Sequence, residues 1–499
     1  MTTPPAMIEL CLVSHTNAGK TTLARTLLGR DIGEVRDAPH VTEIAEFHVL
    51  IETPEGDALR LWDTPGFGDS VRLAKRLRAA DNPIGWMMRE VWDRYRDRPL
   101  WCSQQAVRAV RESADVVLYI VNASEDPRDA GYMAPEMQIL SWIGKPVLLL
   151  LNQMGPPRPQ AEEKEEEDRW RASVSPFDVV RGALTLDAFA RCWVQEDALL
   201  DRVAPLLADE KRAAFDRLAA AWRARSIERF GKSIELLASQ LLAAAGDRET
   251  VDPGAQSGIA ARVLAAFGIG KDREDGARGA AMAALATRAD ERIRDATDSL
   301  IALHGLEGGV AATVLERLRE NYAMTEPMSE GKSAAVGGIV SGALTGLAVD
   351  IAHAGLTLGA GLVTGAIVGA LGGAGIARGT NLIRGVDRTS VEWNATFLDG
   401  LVRSALLRYL AVAHFGRGRG AYEEGEAPAF WKDAVERAFE PRRAVFDALW
   451  ENSRATADRA QAQADLRALM REMATDLLEG LHPGGLASRP EATDRNDEP

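Results

Sequence analysis

The 499-residue sequence has few cysteines and no excess of positive charge. Its three cysteines, Cys11, Cys102 and Cys192, are scattered and lack the close spacing of a metal-binding motif. They predict no disulfide framework and suit a reducing compartment. The net charge of −14 argues against nucleic acid as a default partner. Residues 1–6 contain no basic region or apolar signal core, so we expect no secretory signal and a cytoplasmic location.

The most informative motif is a polar loop between an apolar run at 8–13, which predicts a buried strand, and a helical stretch at 22–28. The loop and the first residue of the helix together comprise Ser14, His15, Thr16, Asn17, Ala18, Gly19, Lys20, Thr21 and Thr22. A loop of this kind binds phosphates, because the helix N-terminus presents N–H groups and a positive dipole end. Lys20 is expected to reach the β- and γ-phosphates, and the Thr21 hydroxyl to hold Mg²⁺. Ser14 departs from the pattern, which usually has a glycine there.

A second motif follows the strand predicted at 58–62. It reads Asp63, Thr64, Pro65, Gly66. In phosphate-loop GTPases an aspartate here holds the magnesium shell, and the glycine N–H meets the γ-phosphate. Thr42, in the polar loop between the two motifs, is placed to supply a second magnesium-sensing hydroxyl. Lys20, Thr42 and Gly66 are therefore the candidate catalytic groups, and a plain turn is the alternative interpretation of residues 63–66.

The remaining strands of the first part are nearly continuous apolar runs, at 114–122 and 145–152. Such runs, separated by helical stretches, indicate a mostly parallel sheet with helices on both faces. The prediction is an α/β P-loop GTPase domain over residues 1–195.

Two residues carry a resemblance to the TrmE–Era-like GTPases of the translation-factor class. Phe67 stands where Ras-like proteins place a water-orienting glutamine, and hydrophobic replacement is a habit of this family. Asn17 occupies the position of an asparagine in members that use potassium. The resemblance implies a domain that binds GTP or GDP with Mg²⁺ and holds K⁺ against the phosphates through Asn17. Alternatively, the Asn17 side chain does not bind an ion and forms an Asx turn that stabilises the loop.

The base-recognition motif departs from the family, whose members have Asn-Lys-x-Asp. The corresponding residues here are Asn152, Gln153, Met154 and Gly155. Gly155 has no carboxylate to bind guanine, which weakens base selection, whereas Asn152 can still tie this loop to the phosphate loop. Asp187, followed by Ala188, lies where the family usually has Ser-Ala. It either supplies the missing carboxylate or caps a helix that begins at Ala188.

The second part of the chain, 196–485, predicts an all-helical domain with no strands after about residue 197. Residues 486–499 predict a disordered tail. Within 333–377 the sequence is rich in glycine and apolar residues, with glycines at every fourth position, such as Gly338, Gly342 and Gly346. This pattern fits a hairpin of closely packed helices in a membrane, with both ends cytoplasmic at the inner membrane, or a hairpin buried in a soluble domain.

The base-loop pair Asn152 and Gln153, the junction at 186–196 and the run at 355–359 resemble bacterial GTPases whose C-terminal domain has no known function. The resemblance covers nearly the whole chain. The resemblance implies a GTPase and no cellular role. From the motifs and the glycine-rich segment, the leading hypothesis is a slow GTPase that acts as a nucleotide switch on a helical, membrane-associated module. The alternatives are a scaffold that binds nucleotide without hydrolysis and a P-loop NTPase with relaxed base specificity. Expected partners are GTP or GDP, an unidentified protein effector, a membrane contacted through 333–377 and a second copy in a homodimer.

Overall fold

The structure is a computed structural model that describes residues 5–29, 45–79, 81–89, 97–154, 158–188, 192–251, 273–306, 380–384, 389–415, 429–455 and 459–483. The chain divides into two compact units. The first comprises Met1–Glu228, Ala413–Tyr422 and Leu478–Pro499, and the second Arg229–Val412 and Glu423–Leu477. The domain boundary expected after residue 195 stays a prediction, and the division between the units falls later.

The first unit is built on alternating strands and helices. Its strands are β1 (Met7–Ser14), β2 (Glu46–Glu52), β3 (Ala58–Asp63), β4 (Val116–Asn122), β5 (Val147–Asn152) and β6 (Val180–Thr185). Its helices are α1 (Lys20–Leu28), α2 (Ser70–Arg78), α3 (Pro83–Arg89), α4 (Arg98–Ser113), α5 (Met133–Ile143), α6 (Gln160–Ser173) and α7 (Trp193–Val203). Helix α8 (Asp209–Ala245) begins in this unit and continues into the second.

The six strands form one sheet in the order β2-β3-β1-β4-β5-β6. Strand β2 is antiparallel to β3, and every other neighbouring pair is parallel. The predicted mostly parallel sheet is therefore confirmed. In this topology the carboxyl ends of β1, β3, β4, β5 and β6 lie along one edge, where ligands bind in open α/β sheets.

Helices cover both faces of this sheet, because side chains alternate between the faces along each strand. On β4, Val117 and Tyr119 face a core shared with α2 to α6, and Leu118 and Ile120 face a core shared with α1, α7 and the start of α8. Near-continuous apolar strands are the sequence signature of a sheet buried on both sides.

The second unit is mainly helical. Its elements after α8 are β7 (Arg248–Thr250), α9 (Arg273–Leu303), β8 (Thr380–Arg384), β9 (Thr389–Trp393), α10 (Ala395–Ala413), α11 (Ala429–Phe439), α12 (Arg443–Ala455) and α13 (Arg459–Leu481). The expectation of no strands is wrong in one detail, because β7, β9 and β8 form a three-stranded antiparallel sheet. These strands are only three to five residues long, and β7 is far from the other two in sequence, so local periodicity gives little sign of them.

A buried arginine joins three helices of the second unit. Arg408 on α10 is 1% exposed and donates hydrogen bonds to Ile293 O at 3.1 Å and Thr297 Oγ1 at 3.0 Å, both on α9. It also donates to Gln240 Oε1 on α8 at 2.7 Å. A buried guanidinium needs such partners, because an unpaired buried charge is costly.

Several sequence predictions lie outside the described residues: Thr42, Gly155, the glycine-rich segment 333–377 and the tail 486–499. Among the residues that the structure does describe, no helix combines the length and apolar character needed to cross a membrane.

Candidate functional site

The phosphate loop connects β1 to α1 as the sequence predicts. Gly19 caps α1 with a φ of 87°, a left-handed conformation that favours glycine. A Cβ atom on Gly19 would lie 2.5 Å from Asn152 Nδ2, so a side chain here would collide with the neighbouring loop. Asn17, at the exposed tip, also has a positive φ of 67°. The first amides of α1 are thus presented at the carboxyl edge of the sheet, as phosphate binding requires.

Lys20 lies inside this loop and is only 8% exposed. Its Nζ donates a hydrogen bond to the Ser14 hydroxyl at 3.1 Å. Ser14, the residue that replaces the usual glycine, therefore contacts the lysine of the motif. Burial lowers the pKa of Lys20, while the carboxylates of Asp63 and Glu136 oppose this shift. A phosphate group beside the ammonium would favour its charged form in the same way.

Asp63 and Thr21 form the adjacent part of the site. The Thr21 hydroxyl donates to Asp63 Oδ2 at 2.6 Å. Asp63 is 4% exposed, and its Oδ1 is buried without a hydrogen-bond partner. Burial raises the pKa of Asp63, with Lys20 and Thr21 acting in the opposite direction. An unsatisfied buried carboxylate oxygen beside a threonine hydroxyl fits a Mg²⁺ ion, because this ion takes hard oxygen ligands directly or through water.

The second motif is held against the phosphate loop. Thr64 Oγ1 donates to Leu12 O at 2.6 Å, and Phe67 N donates to Ser14 O at 2.9 Å. A Cβ atom on Gly66 would lie 3.2 Å from Lys20 Nζ, so the Gly66 backbone borders the lysine ammonium. Phe67 is fully buried in the core against α2 to α6, where it serves packing and does not face a nucleotide.

Asn152 ties the loop that starts at Asn152 and continues through Gln153 and Met154, called the base-side loop below, to the phosphate loop, as predicted. Its Nδ2 donates to Ala18 O at 2.9 Å, and its Oδ1 accepts from Ala188 N at 2.8 Å. Ala188 O in turn accepts from Thr26 Oγ1 on α1 at 3.0 Å. One buried amide therefore connects β5, the phosphate loop and the loop that follows β6.

Asp187 does not cap a helix that begins at Ala188, because α7 begins at Trp193 and Cys192 occupies its cap position. Instead, Asp187 Oδ2 accepts a hydrogen bond from Met154 N at 2.7 Å. The carboxylate therefore braces the base-side loop. A role for Asp187 in binding the base stays a prediction.

His15 introduces a polar cluster that sequence reasoning missed. Its Nδ1 lies 2.7 Å from Glu136 Oε1, and its ring stacks on Tyr132 with centroids 4.3 Å apart. Glu136 is fully buried and also accepts from Tyr119 OH at 2.5 Å. Burial raises the pKa of Glu136 against the opposing effects of His15 and Tyr119. In the sequence, a sign of this cluster is Glu136, an acidic residue among apolar neighbours on α5.

The structure thus brings together most of the predicted nucleotide-binding residues. Contacts connect Ser14, Ala18, Gly19, Lys20, Thr21, Asp63, Gly66, Asn152, Asp187 and Ala188. Thr16 lies against Gly66, Gln153 has a positive φ of 60°, and Thr22 is buried in α1. Thr42 and Gly155 lie outside the described residues. The catalytic and ion-binding roles of all these residues stay predictions.

Two protein families match the chain in sequence. The 50S ribosome-binding GTPase family matches residues 9–153, and the Domain of unknown function (DUF3482) family matches residues 180–475. The chain is 27% identical over 145 residues to GTPase Era from Heliobacterium modesticaldum, which covers 29% of this chain and 39% of Era. The match therefore spans about two fifths of the length of that curated relative.

Solved structures of GTPases are also similar. An Era variant from Aquifex aeolicus bound to GDP and AlF4− has 18% identity and a TM-score of 0.29, over 41% of this chain and 57% of that one. Toc33 from Arabidopsis thaliana in complex with GDP and Mg²⁺ has 14% identity and a TM-score of 0.24, over 37% and 72% of the two chains.

The first unit has the strand order, the phosphate loop and the second motif expected of an Era-like P-loop GTPase domain. The match to the GTPase family lies within this unit. The DUF3482 match covers more than half of the chain. The protein therefore belongs to the DUF3482 family and carries an Era-like P-loop GTPase domain ahead of a helical C-terminal region.

Proposed function

We propose that this protein binds GTP with Mg²⁺, hydrolyses it slowly and uses its nucleotide state to control the helical C-terminal region. The buried Asp63 carboxylate, with Oδ1 unpartnered and Oδ2 bonded to Thr21 beside Lys20, carries this proposal. Such an arrangement is poorly explained by stability alone, because an unsatisfied buried carboxylate oxygen is costly. It is well suited to a bound magnesium nucleotide.

In the proposed reaction, water attacks the γ-phosphate. Mg²⁺, when bound, would neutralise charge on the β- and γ-phosphates. The Lys20 ammonium would stabilise the charge that develops on the transferred group, and the Gly66 N–H would hold a γ-phosphate oxygen. Phe67 has no polar group to orient water and is buried, which supports a slow intrinsic rate. Thr42 supplies the second hydroxyl of the Mg²⁺ shell in this proposal.

Phosphate release from GTP by the full chain, with and without Lys20→Ala, tests the hydrolysis. We expect a loss of at least about 100-fold in the variant, because phosphate-charge stabilisation is worth several kcal/mol. The control is Lys164→Ala, since Lys164 is a solvent-exposed lysine of α6. Tight GTP binding without phosphate release would instead identify the second candidate, a nucleotide-bound scaffold, which the burial of Phe67 favours.

Potassium is a separate part of the proposal. Asn17 lies at the exposed tip of the phosphate loop, which supports contact with an ion at the phosphates. Hydrolysis should be faster in potassium than in sodium buffer, and Asn17→Ala should remove the difference. Equal rates in the two buffers would rule out this role and leave the conformational role of Asn17.

Base selection is the third part. The contact between Asp187 and Met154 braces the base-side loop, which supports the proposal that Asp187 contributes to guanine recognition. Binding of fluorescent GTP and ATP analogues to wild type and Asp187→Asn distinguishes the possibilities. A selective loss of GTP affinity supports guanine recognition, whereas similar affinity for both nucleotides in wild type indicates an NTPase with relaxed specificity.

Coupling to a membrane is proposed from sequence alone, on the regular glycines within 333–377. In this proposal the protein acts at the cytoplasmic face of the inner membrane, on an effector still to be identified and as a homodimer. Flotation of the full chain with anionic liposomes, in GDP and in a non-hydrolysable GTP analogue, tests the coupling. A chain that stays out of the liposome fraction with both nucleotides would contradict it.

A further inference from the structure

Three side chains that the nucleotide site does not use meet in the first unit. Cys192 directly precedes α7, His414 directly follows α10, and His482 directly follows α13. All three positions belong to the first compact unit. One ligand-type atom from each, the cysteine sulfur and a ring nitrogen of each histidine, lies within 4.8 Å of the other two.

The two histidines face each other through the same kind of atom. His414 Nε2 and His482 Nε2 are 2.9 Å apart, and the rings are stacked with centroids 5.2 Å apart. Cys192 is fully buried and His414 is 6% exposed. The two ring nitrogens are therefore in hydrogen-bond contact, and the buried sulfur lies within 4.8 Å of a nitrogen of each ring.

Cys192 is held in a fixed position at the start of α7. It is the N-cap residue of α7, and its backbone carbonyl accepts a hydrogen bond from the Gln195 N–H at 2.9 Å. The Cys192 backbone N–H donates to Gln195 Oε1 at 2.9 Å, which fixes the cysteine at the helix end. A metal ion binds the thiolate form of a cysteine and displaces the thiol proton when it binds.

We infer that Cys192, His414 and His482 form a Zn²⁺ site, with the fourth coordination position open to water or another ligand. Zinc prefers a tetrahedral set of nitrogen and sulfur ligands, at about 2.0–2.1 Å for histidine and about 2.3 Å for cysteine. These bonds place two histidine nitrogens roughly 3.4 Å apart and sulfur roughly 3.6 Å from each. The distances in the structure differ from this arrangement by little more than 1 Å, which side-chain rotation can supply.

The proposed ion would join three segments that are far apart in sequence. Its ligands converge only in the folded chain, so binding would stabilise the fold. Because the site lies outside the proposed magnesium–nucleotide site, it goes beyond the proposed GTPase function and its test does not depend on hydrolysis.

Elemental analysis of the full chain tests the inference. The protein is prepared without a histidine tag or chelator, and in excess Mg²⁺ so that Asp63 does not recruit zinc. We expect about one Zn²⁺ per chain, lost in Cys192→Ser and in His482→Asn. The controls Cys102→Ser and His304→Asn, which change a buried cysteine and a histidine elsewhere, should retain it.

A spectroscopic measurement on the wild-type chain tests the site without any substitution, so its result does not depend on whether the variants fold. The chain is stripped with a chelator and titrated with Co²⁺. We expect tetrahedral Co²⁺ absorption with a thiolate charge-transfer band, reversed by Zn²⁺, and a Tm that falls by more than about 5 °C on stripping. Absence of zinc together with absence of the thiolate band overturns the site. Another metal on the same ligands overturns the assignment to zinc.

Discussion

Burial changes the proton affinities of the ionisable residues around the phosphate loop. It lowers the pKa of Lys20 and raises those of Asp63 and Glu136, since each charged form loses contact with water. The same effect acts beside the base-side loop. There burial, with the negative charges of Glu167 and Asp187, raises the pKa of Glu163 from 4.5 to about 7.

Glu163→Gln should stabilise the protein at high pH but not at low pH. The folded-state pKa of Glu163 is above its unfolded value, so stability falls as pH rises from about 4.5 to about 7 and stays low above that range. Glutamine cannot ionise and avoids this loss. We expect a Tm gain of a few degrees at pH 8 and almost none at pH 4.5, measured by scanning calorimetry. The exposed neighbour provides the control Glu162→Gln, and an equal gain at both pH values would contradict the argument.

At the carboxyl edge of the parallel sheet, a side chain connects neighbouring loops through their backbone groups. Asn152, the last residue of β5, binds both the phosphate loop and the loop after β6. Asn122 stands at the matching end of the neighbouring strand β4, directly beside Asn152 in register, but its side chain bonds within its own turn to Ser124 and Glu125. The two asparagines are therefore a matched pair with different structural roles.

Asn152→Ala should weaken nucleotide binding by about tenfold or more, because it removes two buried hydrogen bonds of about 1 kcal/mol each and leaves Ala18 O and Ala188 N unsatisfied. The dissociation constant of a fluorescent GTP analogue measures the loss. Asn122→Ala is the control and should change the constant less than twofold. Equal effects of the two substitutions would show that the bridge to Ala18 and Ala188 is not important for binding.

At the scale of the whole molecule, the first unit extends beyond the nucleotide motifs. Helix α7 and the start of α8 cover one face of the sheet, and Phe215, Leu218 and Trp222 of α8 are at most 3% exposed. Each such side chain contributes about 2 kcal/mol through burial. The division between the units accordingly falls after Glu228, within α8.

A chain that ends at residue 228 lacks the later segments of the first unit, at 413–422 and 478–499, but keeps both faces of the sheet covered. It should therefore stay monomeric and bind a GTP analogue, whereas a chain that ends at residue 195 should aggregate. The shorter chain would leave the sheet face that contains Leu10, Leu118 and Leu150 uncovered. Size-exclusion chromatography of the two truncated chains at equal concentration measures the difference. A soluble chain of 195 residues that binds nucleotide as tightly would place the functional boundary where the sequence predicts it.

Much of the first unit could be predicted from the sequence, because its signals are local. The loop that ends at Lys20 and Thr21, the motif that begins at Asp63 and the apolar strands each lie within a few consecutive residues. The cluster of His15 with Glu136 was missed, because these residues are far apart in sequence and only the packing of α5 brings them together. The role of Asp187 was also unpredictable, since it depends on where α7 begins.

The sequence by itself determined the apolar parallel strands of the first unit, the phosphate-binding chemistry of its loop and the helical character of the second half. These properties depend on side-chain period and local backbone preference. Only the tertiary structure decided the partner of Asp187, the small sheet β7-β9-β8 and the convergence of Cys192, His414 and His482. The physical reason is that the Asp187 contact, the pairing of β7 with β9 and the cysteine–histidine cluster each require residues separated by tens to hundreds of positions to meet. Such contacts depend on how the folded elements pack.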